Sequence, residues 1–195
     1  MNRYNFAVIF DMDGVLIDSN PYHKVALQQF CTKYGFELNE EELRNRIYGR
    51  TNKEWIRNLF GEDLSDEKLK QYAFEKEEIY RKLYAADISP VKGLHIFLTS
   101  LRSKGIKRAI GTSAPRGNVD FTLSGIDAAH YFDIILDESH VERGKPDPEI
   151  YVKCAKAVGY APANCIVIED SISGLLAAKA SGAKVIGIST THSKE

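Results

Sequence analysis

No charge of one sign dominates this sequence: 26 Lys and Arg residues nearly cancel 27 Asp and Glu, leaving a formal net charge of −1. That balance supplies no global field to gather nucleic acid or an anionic membrane surface, which argues against a basic nucleic-acid module. No apolar run approaches the roughly 18 residues of a membrane span. The opening residues Met1–Asn5 are mostly polar, where a secretion signal needs an apolar stretch. The expectation is a cytoplasmic protein with neither nucleic acid nor membrane as partner. Cysteine is scarce, and Cys31, Cys154 and Cys165 lie far apart, with no C-x-x-C pair or companion histidine to suggest zinc. They read as reduced, buried thiols. Internal repeats and low-complexity tracts are missing too. What is there is 195 residues, 44% of them apolar. At roughly 100–200 residues per domain, that is one domain or one with a small insert.

Phe6-Ala7-Val8-Ile9-Phe10 is apolar without alternation, the pattern of a strand covered on both faces, as in a parallel sheet. Shorter runs recur at Ala109-Ile110, Ile134-Ile135-Leu136, Ile166-Val167-Ile168 and Val185-Ile186-Gly187-Ile188, giving five strand candidates in all. Between them Leu94, Phe97, Leu98 and Leu101 fall at helical spacing, as do Tyr151, Cys154, Ala155 and Val158. Gly105 and Gly159 follow as natural helix stops. Strand alternating with helix from residue 90 onward predicts an α/β fold with a doubly wound parallel sheet.

Residues 19–87 break that rhythm. They hold no convincing strand, and their helix starts are marked by Pro21, by a capping box of Thr51 with Glu54, and by the acidic Ser65-Asp66-Glu67. Leu27, Phe30, Cys31 and Tyr34 give one apolar face. The expected organisation is a core from residues 1–18 and 88–195, interrupted after its first strand by an all-helical insert at 19–87.

In open parallel sheets ligands bind beyond the carboxyl ends of the strands, so the residue after each apolar run is where chemistry belongs. Here those residues are Asp11-Met12-Asp13-Gly14, Gly111-Thr112-Ser113 and Glu169-Asp170-Ser171. Carboxylates gathered at one edge repel one another unless a hard cation sits among them. Mg²⁺ takes oxygen ligands and keeps waters and substrate phosphate in its shell. The pattern points to metal-assisted phosphoryl transfer. Asp11 would attack phosphorus, and Asp13 would protonate the leaving oxygen and later take a proton from the incoming water or alcohol. Thr112 and nearby N–H groups would hold the phosphoryl oxygens, with a lysine to balance their charge. Lys145 suits that role, because the prolines of Gly144-Lys145-Pro146-Asp147-Pro148 stiffen the loop that carries it. Each feature also has a plainer reading: Asp-x-Asp-Gly as a turn, Glu169-Asp170-Ser171 and Thr112-Ser113 as helix starts, Lys145 as a solvated lysine. Their joint occurrence, each just beyond an apolar run or in its connecting loop, favours the chemistry.

Asp11-Met12-Asp13-Gly14-Val15-Leu16-Ile17-Asp18-Ser19, Thr112-Ser113, Lys145 with Pro146-Asp147-Pro148, and Glu169-Asp170-Ser171 resemble, in that order, the four motifs of the haloacid dehalogenase-like superfamily. The helical insert resembles the small cap of its β-phosphoglucomutase and phosphoglycolate phosphatase branch. The resemblance implies a Rossmann-like core and a Mg²⁺ site formed by the Asp11 side chain, the Asp13 carbonyl and Asp170, with Glu169 close by. It also implies Asp11 as nucleophile and Asp13 as acid and base. An aspartate at position 13 argues against dehalogenation. Two departures stand out. Relatives usually continue past the last apolar run with a further strand and helix. The cap loop reads Gly49-Arg50-Thr51-Asn52-Lys53-Glu54, where β-phosphoglucomutases resemble Gly-x-Ser-Arg-Glu, so Asn52 stands in the place of a sugar-phosphate-binding arginine.

Three functions follow: a phosphatase, a β-phosphoglucomutase-type sugar phosphate mutase, and a binding protein without turnover. His23, and Lys76 with Tyr80, match positions of the mutase cap. Their plainer readings are a half-buried helix histidine and a solvated run of charge. Asn52 counts against the mutase, with Arg50 or Lys53 left to supply the charge. The expectation is a phosphatase acting as a monomer, its substrate contacts drawn from His23, Gly49, Arg50, Asn52, Lys53, Lys76, Ser113 and Arg116.

Overall fold

Apolar runs of two to five residues are too short for helices, and each one becomes a strand: β1 (Ala7–Phe10), β2 (Lys107–Gly111), β3 (Ile134–Leu136), β4 (Cys165–Glu169) and β5 (Lys184–Gly187). The computed structural model describes residues 4–47 and 51–190, without the side chains at 40, 44 and 45, so the expectations for Gly49 and Arg50 lie outside the described residues. The chain divides into two units, Met1–Asn20 with Ile88–Glu195, and Pro21–Asp87.

In the first unit all five strands are parallel, in the order β3-β2-β1-β4-β5. Ile9 of β1 pairs with Ala109 on one side and Val167 on the other. Ala7, Ile9, Ala109, Cys165 and Val167 pack with Ile150, Tyr151 and Cys154 of α7 (Glu149–Ala157) and Ala177 and Ala178 of α8 (Ile172–Ala180). Phe10 meets Phe97 of α5 (Leu94–Ser103) edge-on at 6.0 Å and Phe132 at 5.7 Å. Helices therefore cover both faces, as the doubly wound reading expects. A fourth helix of this unit, α6 (Arg116–Gly125), follows β2.

The regular structure among the second unit's described residues is all helical: α1 (Asn20–Lys33), α2 (Glu40–Arg46), α3 (Asn52–Phe60) and α4 (Asp66–Tyr84). Pro21 is the second residue of α1, where its missing N–H costs nothing. Thr51 and Glu54 close the expected capping box on α3, and Ser65 caps α4 by accepting from the Lys68 N–H at 3.3 Å. Phe30 is wholly buried among Leu27, Cys31, Leu43, Trp55, Ile56 and Leu59, with Trp55 edge-on at 5.5 Å. Burying such a side chain contributes about 1.5–3 kcal/mol.

All three cysteines are free and buried. Burial pushes the Cys31 thiol up to about 11 and that of Cys154 to about 12, so neither is a thiolate near neutrality. Among the described residues no helix is long and apolar enough to cross a membrane.

Candidate active site

From β1 the chain builds outward through β2 to β3, then returns to the opposite side of β1 for β4 and β5. The direction reverses between β1 and β4, and a crevice opens at such a switch point beyond the strand ends. The Asp11 N–H donates to the Ile168 carbonyl at 3.0 Å, which ties the end of β1 to that of β4. Asp11 and the pair Glu169 and Asp170 are thereby brought side by side. One carboxylate oxygen from each lies within 4.8 Å of the others, and all three residues are buried.

Lys145 bridges two of these acids. Its Nζ donates to Asp11 Oδ1 at 2.7 Å and to Glu169 Oε1 at 2.8 Å, and sits 4.9 Å from the centroid of the Tyr151 ring. Burial lowers the affinity of this ammonium for its proton, but Asp11, Tyr151 and Glu169 outweigh that and hold Lys145 well above its usual range. Glu169 is further fixed by the Tyr151 hydroxyl at 3.1 Å and by the N–H groups of Asp170 and Ser171, both at 2.6 Å. Burial raises the Glu169 carboxyl, but Lys145 with these donors keeps it below the ordinary glutamate value. Asp11 goes the other way. Burial pushes its carboxyl up to about 7; Lys145 opposes this, while Glu169 and Asp13 add to it. One lysine thus leaves a surplus of negative charge, and hard oxygen donors with surplus negative charge fit a small divalent cation.

Asp13 lies two residues past Asp11, with Oδ1 held at 2.6 Å by the hydroxyl of the fully buried Ser19. Gly14 follows with φ of +75°, and a Cβ there would fall 1.9 Å from Asp170 Oδ2, so no other residue fits. Thr112 is buried beyond β2, its N–H given to Leu136 O at 3.1 Å and its Oγ1 accepting from the Ala114 N–H at 3.1 Å. Ser113 is exposed in the turn before α6. Arg116 is spent on other partners, Asp120 at 3.0 Å and the buried Asp137 at 3.5 Å. Ser171 is both things the sequence offered, neighbour of the acids and N-cap of α8 through the Gly174 N–H at 3.1 Å.

In the helical unit His23 stacks on Tyr80 with ring centroids 3.8 Å apart and planes 7° from parallel. Its Nδ1 lies 3.4 Å from Lys76 Nζ and 3.9 Å from Glu77 Oε2. Lys76 is only 7% exposed and pairs with Glu77 at 2.5 Å, which corrects the reading of this charged run as a solvated face. Asn52 accepts from Trp55 Nε1 at 2.8 Å, so its side chain is engaged within α3, while Lys53 is exposed.

Sequence reasoning missed Ser19 and Tyr151 as partners of Asp13 and Glu169. Tyr151 carries a signal in hindsight: a hydroxyl-bearing residue on the apolar stripe of α7, six positions after Lys145. Ser19 ends the conspicuous first motif and still gives no sign of its partner.

The family model for haloacid dehalogenase-like hydrolases matches residues 8–188. The chain is 34% identical over 176 residues to the phosphorylated carbohydrates phosphatase of Thermotoga maritima, spanning 90% of this chain and 81% of that protein. A family IA haloacid dehalogenase-like hydrolase from Entamoeba histolytica shares 35% identity and superposes with a TM-score of 0.88, over 96% of this chain and 86% of that one. The β-phosphoglucomutase of Clostridium difficile shares 27% identity and superposes at 0.81, over 93% and 83% of the two chains.

Proposed function

The chain belongs to the haloacid dehalogenase-like hydrolases, and from that premise we propose a Mg²⁺-dependent phosphatase that cleaves a small phosphorylated metabolite, a sugar phosphate or similar, through an aspartyl phosphate on Asp11. The observation that carries this reading is the buried trio Asp11, Glu169 and Asp170, with Lys145 bridging the first two at 2.7 and 2.8 Å. Asp11, Asp170 and the backbone carbonyl of Asp13 would hold the cation, with Glu169 beside them. When bound, Mg²⁺ supplies the positive charge that Lys145 alone does not, favouring the ionised form of Asp11 and screening the phosphoryl oxygens.

Asp11 then forms a bond to phosphorus as the bond to the leaving oxygen breaks, and Asp13 gives that oxygen its proton. In the second half Asp13 takes a proton from water, the water oxygen bonds to phosphorus, and Asp11 departs as carboxylate, releasing inorganic phosphate. Ser19 holds one oxygen of Asp13 throughout its reach at 2.6 Å. Lys145 and the buried Thr112 face the charge that builds on the phosphoryl oxygens. None of these groups reads the rest of the ester, so leaving-group selection falls to the helical unit, with His23, Lys76 and Lys53 its first candidates. The Thermotoga relative, named for phosphorylated carbohydrates, supports a sugar phosphate.

A mutase is the second reading, favoured by the buried Lys76 paired with Glu77 and flanked by His23. The two readings differ in what accepts the phosphoryl group from Asp11. Incubation with a panel of sugar phosphates and β-glucose 1-phosphate separates them. Inorganic phosphate released one-for-one with ester consumed is expected; glucose 6-phosphate forming faster than phosphate would replace the phosphatase by the mutase.

A further inference from the structure

We propose that Thr190, in the segment beyond β5, is a positioning residue of the cation site, holding the Gly14 loop and the Asp170 carboxylate in register. Three contacts carry this. The Ile188 N–H donates to the Glu169 carbonyl at 2.8 Å, which brings the chain after β5 back to the end of β4. Thr190 Oγ1 then lies 2.6 Å from the Gly14 carbonyl oxygen and 3.4 Å from Asp170 Oδ2. The Gly14 loop and Asp170 are already packed so closely that a Cβ at position 14 would sit 1.9 Å from that same Oδ2.

The hydroxyl directs its one proton chiefly at the nearer Gly14 carbonyl and also reaches Asp170 Oδ2, so a single donor serves both acceptor oxygens and ties the loop to the carboxylate. The Asp13–Gly14 peptide and the Asp170 side chain are two of the three proposed cation ligands, so what fixes their spacing fixes the shape offered to the metal. Thr190 is itself exposed and belongs to no strand or helix, so its loss does not open the core.

This inference rests on the reading that Asp11 and Asp170 hold a divalent cation. Titration calorimetry with Mg²⁺ alone, on the full chain without substrate, tests both and separates them. The unsubstituted protein is expected to bind one Mg²⁺ and Asp170→Asn to bind none. Thr190→Val, which keeps the shape and removes the hydroxyl, is expected to weaken Mg²⁺ binding by about 10-fold or more, as other residues that orient metal ligands do. Thr190→Ser should restore it to within about threefold, and the melting temperature of the metal-free protein should be the same in all three. Equal Mg²⁺ affinity in the parent and Thr190→Val, with Asp170→Asn inactive in binding, would overturn the role of Thr190 and leave the cation reading intact. No Mg²⁺ binding by the parent would overturn the cation reading and this inference with it. A lowered melting temperature of metal-free Thr190→Val that Thr190→Ser fails to repair would also overturn it, as a packing effect of the methyls.

Discussion

The strand-built unit and the helical unit spend their buried polar groups in opposite ways. At the ends of β1 and β4 buried acids are tied by polar donors, and Glu169 alone accepts from Lys145, Tyr151, Asp170 and Ser171. The helical unit is held by rings, with Phe30 packed edge-on against Trp55, Phe60 and Tyr72, and among its described residues the buried charges are Lys76 and Glu77, with the half-buried His23 beside them. A fully determined polar centre suits chemistry that is the same for every phosphate ester. An aromatic scaffold carrying a few charges can change those charges without losing its core.

If that contrast is right, damage to the first unit should abolish turnover on every ester, and damage to the second should depend on the ester. Asp11→Asn should lower kcat by about 10³-fold or more on all substrates and abolish covalent labelling by phosphate, since an amide is a poor nucleophile. Steady-state rates within about tenfold of the parent would break the assignment. Removal of divalent metal by a chelator should have a comparable effect. Mg²⁺ should reverse it and Ca²⁺ should not, because Ca²⁺ favours longer bonds and more ligands. In the helical unit, Lys76→Met should lower kcat/KM for the preferred sugar phosphate by about 50-fold, roughly 2 kcal/mol, and that for acetyl phosphate by no more than about threefold. Equal losses on both would erase the division of labour.

The smallest expected effect concerns stability in the first unit, away from the acids. Asp133 accepts from Lys107 Nζ at 2.8 Å and from the Arg108 N–H and Nη2, both at 3.0 Å. Burial raises its carboxyl, but these partners prevail and hold it below the ordinary aspartate value. A depressed carboxyl contributes its stability above the unfolded-state pKa and loses it as the pH falls through the folded value. Asp133→Asn should therefore cost about 1–2 kcal/mol at pH 7 by chemical denaturation, and the gap from the parent should close as the pH drops below about 4. A gap that holds constant across that range would mean the effect is packing and not charge.

The same contrast explains what could be read from the sequence. Asp11, Glu169 and Asp170 are legible because each follows directly on an apolar run, and in a parallel sheet the ends of such runs share one edge. Lys145 is legible through its prolines. The five strands and the helical insert are legible for the same reason, as abrupt changes of period. Lys76 is not, because its burial and its contact with His23, 53 residues away, are tertiary features, and a run of charge looks solvated until something covers it. Tyr151 hides in the opposite way: its ring belongs to the apolar stripe of α7, and only three-dimensional placement shows its hydroxyl on Glu169. Asn52 sits at the position expected of a ligand, yet its amide turns back on Trp55 three residues on.

The place of β1 in the middle of the sheet has a kinetic consequence. Ala7 pairs with Lys107 and with Cys165, so the strand that leads into Asp11 has no partner nearby in the chain. Closing loops of that length comes late, whereas the helices of residues 21–87 make their contacts with close neighbours and can form before β2 to β5 have been made. The helical unit is thus expected to gain protection first in pulsed hydrogen exchange, and the amides of β1 last. A chain halted before β4 would carry the helical unit and Asp11 but neither Glu169 nor Asp170, so the buried acid trio could not assemble until β4 is made.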